Sequence, residues 1–250
     1  ISVRAEAADA TEKRLTLYRM RTPVTIERMD GVASVGVAGP GAAGALSRAG
    51  LPAPEAGAVS ATEGGRAVVA GMPAAGHPRF QVHVSWEDAP RFWGALTGAG
   101  RPVGTPVWRL QAIRTGEVDV PSPLCESFTA NMLNLYELGA VKFEKGCFPG
   151  QEVVARTHHL GKVPRRLRHA AVQGNEAPAS GSKLRAHRGE QARDAGVVVE
   201  AVPAGPDRIE MLAVIAEAQL DADAIRVGEE PDGPALRDLR TITELGVSRP

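Results

Sequence analysis

Cys147 sits in a stretch where several chemistry-bearing side chains crowd together: Lys145-Gly146-Cys147-Phe148-Pro149-Gly150-Gln151-Glu152. Two Gly and a Pro predict a tight loop, and residues 151–158 predict a helix after it. A thiol just ahead of a helix N-terminus, with Lys142 and Lys145 nearby, meets positive potential that favours the thiolate. That chemistry suits a nucleophile or a soft-metal ligand. The bland alternative is a buried thiol packing as a small hydrophobe, and the polar neighbours on both sides favour chemistry. Cys125 has no such setting and reads as that buried, structural kind. The two cysteines lie 22 positions apart without a CxxC pair. A disulfide framework and a four-thiolate metal site within one chain are thereby excluded.

Three other patterns carry weaker signals. Gly39-Pro40-Gly41-Ala42-Ala43-Gly44 fits GxGxxG between a strand and a helix, the dinucleotide fingerprint of a nicotinamide oxidoreductase. Glu63 stands at the distance of a ribose-binding acid, but the Pro- and Gly-rich stretch before it predicts no strand, so a tight strand–helix turn is the better account. His158-His159 offers two imidazoles, yet neighbours on a helix point about 100° apart and cannot easily share one ion. The run from Lys162 to His169, with Arg165, Arg166 and Arg168, is the densest basic patch. It reads either as a solvated strand edge or as a seat for an acidic ligand or partner.

Strands and helices must position these residues. Periodicity predicts the end of an amphipathic helix over 12–20, strands over 24–26 and 32–37, a small-residue helix over 42–49 and a loop over 50–65. Strands over 66–70 and 79–84 follow, the second alternating Phe80, Val82 and Val84 with Gln81 and His83. Then come helices over 89–96, with Phe92, Trp93 and Leu96 on one face, and over 108–115, stopped by Gly116. Runs at 167–172, 196–202 and 208–214, parted by turn residues, predict a small β-barrel. The resulting fold class is α+β: a partial αβ sandwich over 1–105, a linker helix and the Cys147 loop over 106–161, a C-terminal β-barrel over 162–230 and a partly frayed tail over 231–250.

Composition narrows the function classes. The chain has 250 residues with 28 Gly and 19 Pro, well above the average of roughly 12% for the two together, so turns are frequent. Basic and acidic residues balance at 29 each, which gives no support to direct nucleic-acid binding. No apolar stretch reaches the roughly 18 residues of a membrane span, and a reducing, cytoplasmic setting is expected. The chain begins at Ile1, so a preceding segment is expected to be missing.

The octapeptide KGCFPGQE with the following Val153-Val154-Ala155-Arg156 resembles the KGC(Y/F)xGQE signature of the YgfZ family. Met132-Leu133-Asn134-Leu135 and the stretch from Leu138 to Phe143 resemble the approach to that signature. Residues 13–19 and 24–26 resemble the family's central helix and next strand, and the N-terminal third of the family has no counterpart. The resemblance implies the fold of the glycine-cleavage aminomethyltransferase around a folate pocket. It implies tetrahydrofolate as cofactor and an accessory role in iron–sulfur cluster assembly or repair, indirectly supporting tRNA modification. Iron–sulfur assembly proteins or client enzymes would be the partners, and binding rather than turnover the activity. Trp108 matches a folate-contacting Trp, for which an indole is a good platform. Cys147 would be the reactive thiolate, or the ligand of a transient iron–sulfur cluster completed by a partner. Two departures stand out: Arg114 where related transferases place a pterin-contacting acid, and Ala130-Asn131 in place of Pro-Gln. The alternative within this fold is a folate-dependent one-carbon transferase.

Overall fold

A computed structural model describes residues 1–19, 21–143, 146 and 150–247, and of residues 158–160 the backbone only. Helix α1 (Ala8–Tyr18) matches the expected amphipathic segment, but it buries none of its residues. The β-branched run 24–26, expected as a strand, finds no ladder partner among the described residues. Instead Val24 donates its N–H to Thr22 and accepts from the Arg19 guanidinium, both at 2.8 Å.

The first sheet is antiparallel, in the order β1-β4-β3-β2. Its strands are β1 (Val32–Ala38), β2 (Val59–Ala61), β3 (Ala67–Met72) and β4 (Arg79–Ser85), with α2 (Ala42–Arg48) between β1 and β2 and α3 (Ala89–Thr97) after β4. Side chains on a strand alternate between faces. Register sets Val35, Val69 and Val82 side by side, and with Phe80 and Val84 they bury one face against Leu46 of α2 and Phe92 and Leu96 of α3. Trp93, expected on that same helix face, is 47% exposed. It lies one residue, about 100°, from Phe92 and so leaves the i, i+4 stripe that Phe92 and Leu96 share. The stretch 50–65 is not all loop, since β2 lies within it, paired to β3.

The second sheet has six strands in the order β10-β5-β8-β7-β6-β9. They are β5 (Arg165–Val172), β6 (Lys183–Arg188), β7 (Gln191–Gly205), β8 (Arg208–Ala216), β9 (Ala224–Val227) and β10 (Arg237–Thr241). The expected C-terminal barrel takes the form of this curled sheet. Its edges approach each other just ahead of β10, where Val227 donates to Pro234 O and Leu236 to Ile225 O. Of the expected frayed tail, residues 231–247 supply β10 and the fully buried Ile242. Ile242 packs in a cluster with Leu110 and Ile113, whose apolar surface its burial covers.

Helix α4 (Thr105–Thr115) joins the two sheets and ends at Gly116, whose left-handed φ of 71° stops it. Leu110 and Ile113 pack on the outer face of the second sheet against Leu212 and Val214. The inner face of that sheet holds Leu184, Val198, Met211 and Ile215. Central β8 is thus buried on both sides, which explains its nearly unbroken apolar run. Helix α5 (Gln151–Leu160) follows the Cys147 loop and leads into β5.

Candidate functional site

Trp108 and Thr115 are seven positions apart on α4 and share one stripe of the helix. Both meet Arg79 of β4. The guanidinium lies over the Trp108 ring, 4.4 Å from its centroid, and Nη1 donates to Thr115 Oγ1 at 3.3 Å, to Glu117 Oε2 at 3.3 Å and to Pro73 O at 2.9 Å. Arg79 is only 2% exposed, while Trp108 is half-buried. Burial pulls the Arg79 pKa below its ordinary value against the opposing charge of Glu117.

The indole also rests on the face of the first sheet opposite its core. Gly36 of β1 lies there, and an added Cβ would stand 2.4 Å from Trp108 Cε3. Only glycine lets the ring come this close. Beside Gly36 on the same face are Ser34, whose hydroxyl is 2.8 Å from His83 Nδ1, and Gln81. Burial holds the His83 pKa below its usual value. Gly36→Ala is therefore expected to push the indole off its seat and shift Trp108 emission. The melting midpoint should fall only modestly, within the roughly 1–3 kcal/mol of an overpacked site, because a half-buried ring can swing aside. Unaltered emission in that variant would show that the ring does not depend on Gly36.

Charged residues on either side of the Leu110–Ile113 stripe let α4 grip the second sheet. Arg109 pairs with Glu200 of β7, which is 4% exposed; burial raises the Glu200 pKa although Arg109 opposes this. Arg114 holds Glu210 of β8 through two parallel bonds of 2.9 Å, and His169 Nε2 stands 3.1 Å from the same carboxylate. Burial alone would push Glu210 up. The hydrogen bonds and charges of His169 and Arg114 outweigh it and hold the carboxyl well below the usual range. Arg114 is thus committed to the joint between α4 and β8.

The other sequence candidates separate on the same geometry. The basic run is not an open seat: β5 pairs with β8 along its length and with β10 from Arg168 onward. Arg165 pairs with Asp194, Arg166 with Glu137 and Arg168 with Glu217. The glycine fingerprint turns β1 into α2, whose Ala42, Ala45 and Leu46 are core. A short strand, β2, does precede Glu63. However, β1 and β2 occupy opposite edges of an antiparallel sheet, so the adjacent parallel strands of a dinucleotide fold are absent. Cys125 is exposed in the turn after Ser122–Leu124 and does not pack as a buried structural thiol.

In the signature, Cys147 and Lys145 lie outside the described residues, as do the side chains of His158 and His159. Gly146 is exposed, Gly150 adopts a left-handed φ of 84° as the N-cap of α5, and Gln151 and Glu152 open that helix. The preceding segment is pinned to its neighbours. Asn131 donates to Val154 O of α5 at 3.2 Å, and the buried Asn134 donates to Leu167 O of β5 at 2.8 Å. Asn131 thereby tethers helix α5. Arg79 and Gly36 escaped sequence reasoning. Their one available signal was local: a cation closing the loop before a strand, and a glycine among β-branched residues.

No protein-family model matches the chain. It is 28% identical over 235 residues to the tRNA-modifying protein YgfZ of Cronobacter sakazakii, a match covering 93% of this chain and 70% of the relative. The YgfZ protein of Enterobacter sp. (strain 638) is also 28% identical, over 239 residues, covering 94% and 72%. The resemblance to the YgfZ family holds along nearly the whole chain. The crystal structure of glycine cleavage system aminomethyltransferase T from Bartonella henselae superposes on 95% of this YgfZ-like chain with a TM-score of 0.67 at 18% identity. That likeness shows the fold. The chain spans 65% of the length of that aminomethyltransferase. Among the described residues of the YgfZ-like chain, no helix is long and apolar enough to cross a membrane.

Proposed function

We propose that this chain is a tetrahydrofolate-binding accessory factor for the assembly or repair of iron–sulfur proteins, through which it supports tRNA modification. The observation that carries the reading is the placement of Trp108. An indole stands half-buried at the seam of two sheets, seated on a glycine that leaves no room for a Cβ and faced by a buried cation. An indole is a suitable platform for a flat pterin, and such an aromatic contact would add about 0.5–1.5 kcal/mol beyond its area burial. Relatives named as tRNA-modifying proteins and the aminomethyltransferase fold agree with it.

Within this proposal Trp108 holds the pterin, and the loop of Lys145, Gly146, Cys147, Gly150, Gln151 and Glu152 presents the Cys147 thiolate. One thiolate cannot complete a cluster, which generally takes four protein ligands. A partner protein or a small thiol supplies the others. Trp108→Ala is expected to weaken tetrahydrofolate binding roughly tenfold while the melting midpoint changes little, because the side chain is only partly buried. Titration of both proteins checks this. Equal affinities would remove the folate reading, and a collapse in stability would place Trp108 in the core.

The fold favours a second reading, one-carbon transfer on tetrahydrofolate. Formation of a one-carbon folate adduct from an aminomethyl donor, catalytic in protein, would establish it in place of simple binding.

A further inference from the structure

We propose that Arg79 is the positioning residue of the site, holding the Trp108 indole in a single orientation before any ligand arrives. The inference rests on the reading of Trp108 as the ligand platform, and it extends that reading to a residue packed over the ring. Three features of Arg79 point the same way. Its hydrogen bonds all leave from Nη1, whereas Nε and Nη2 are buried and bond to nothing among the described residues. A guanidinium has five N–H donors, and one placed for hydrogen bonding would use more than one nitrogen. The group instead spends its burial lying 4.4 Å from the Trp108 ring centroid, where a desolvated cation is attracted by the ring face.

Its anchoring suits the task. Pro73 O, Thr115 Oγ1 and Glu117 Oε2 fix Nη1 from the β3–β4 loop, the end of α4 and the segment after it. The cation is thereby tied to the same helix that carries the indole. Gly36 limits how far the ring can move towards the sheet. A ring already ordered spares a ligand the cost of ordering it on binding.

The test uses protein in which Trp86→Phe and Trp93→Phe leave Trp108 as the sole Trp; both replaced residues are exposed. Time-resolved fluorescence anisotropy without ligand reads the indole directly. In the parent the ring should turn only with the whole protein, and a freely rotating ring there overturns the proposal without any further variant. Arg79→Met, which keeps bulk and loses charge, should free the ring. Arg79→Lys, which keeps charge, should hold it. Tetrahydrofolate should bind Arg79→Met roughly three- to tenfold more weakly, the effect of one side chain newly ordered on binding, and Arg79→Lys within about twofold of the parent. Equal release of the ring in both variants would assign the hold to the Nη1 hydrogen bonds and overturn the proposal. A parent that does not bind tetrahydrofolate would sink the folate reading, while the anisotropy still decides the role of Arg79.

Discussion

Glu210→Ala is expected to destabilise the protein by about 3 kcal/mol and to lower its melting midpoint by roughly 6–12 °C. The carboxylate is 4% exposed and accepts two bonds of 2.9 Å from Arg114 while lying 3.1 Å from His169 Nε2. Removing one partner of a buried charge pair typically costs about 3–5 kcal/mol, because the remaining charge loses its compensation. The lower end applies here. Arg114, and Arg208 whose Nε lies 3.4 Å from the same carboxylate, are half-exposed and recover water, whereas the buried His169 cannot.

The pH dependence follows from the same geometry. The folded-state pKa of Glu210 lies below its unfolded value, so the unfolded chain binds a proton first. This stabilisation is complete above the ordinary carboxylate range and drains away as pH falls through and below about 4. Glu210→Gln, similar in shape but uncharged, should lose less stability at neutral pH and show a flatter acid branch. Denaturant midpoints from pH 7 down to 3 would measure this. Parallel acid branches in the parent and Glu210→Gln would show that the carboxylate is not held as described.

Such a charge explains part of what the sequence concealed. Alternation read β1, β3 and β4 well, because one face of that sheet is core and the other is not. Strands β6 and β9 went unread: Lys183–Arg188 carries four basic residues on a strand whose Leu184 and Ala186 alone face the barrel interior. Strand β10, with sequence RDLRT, has even less apolar character and exists because β5 offers it a ladder. Val24 to Ile26 shows the converse, a good strand sequence without a neighbour to pair with among the described residues. Local propensity decides little at an edge, where the partner decides.

The candidate site divides in the same manner. Trp108 and Cys147 were singled out because their residue types are rare, and Cys147 also because the residues around it match a known signature. Arg79 and Gly36 were not, since each gains meaning only from the approach of α4 to the open face of the first sheet. The basic run misled for a related reason. Its cations are conspicuous in sequence, but the carboxylates that neutralise them, at Glu137, Asp194 and Glu217, come from distant segments.

Cys147→Ala is expected to accumulate normally yet fail completely to restore iron–sulfur enzyme activity to cells lacking this protein. The proposed role needs a thiolate, and the local sequence favours one. Helix α5 begins at Gly150 without a side-chain cap, so its first N–H groups leave a positive end close behind the loop. A cysteine ahead of a helix N-terminus titrates below the ordinary thiol range when the helix end favours its thiolate. Cys147→Ser should fail as well, because a hydroxyl stays protonated at neutral pH and is a poor ligand for a soft metal. Cys125→Ala should rescue fully, since that residue lies in an exposed turn. Exposure alone makes Cys125 accessible to iodoacetamide, so single-cysteine variants must be compared by how alkylation rate varies with pH. The Cys147 rate should level off below neutrality, the behaviour of a thiol already ionised. A Cys147→Ala protein at normal abundance that rescues fully would leave the cysteine a structural member of its loop and remove it from the proposed function.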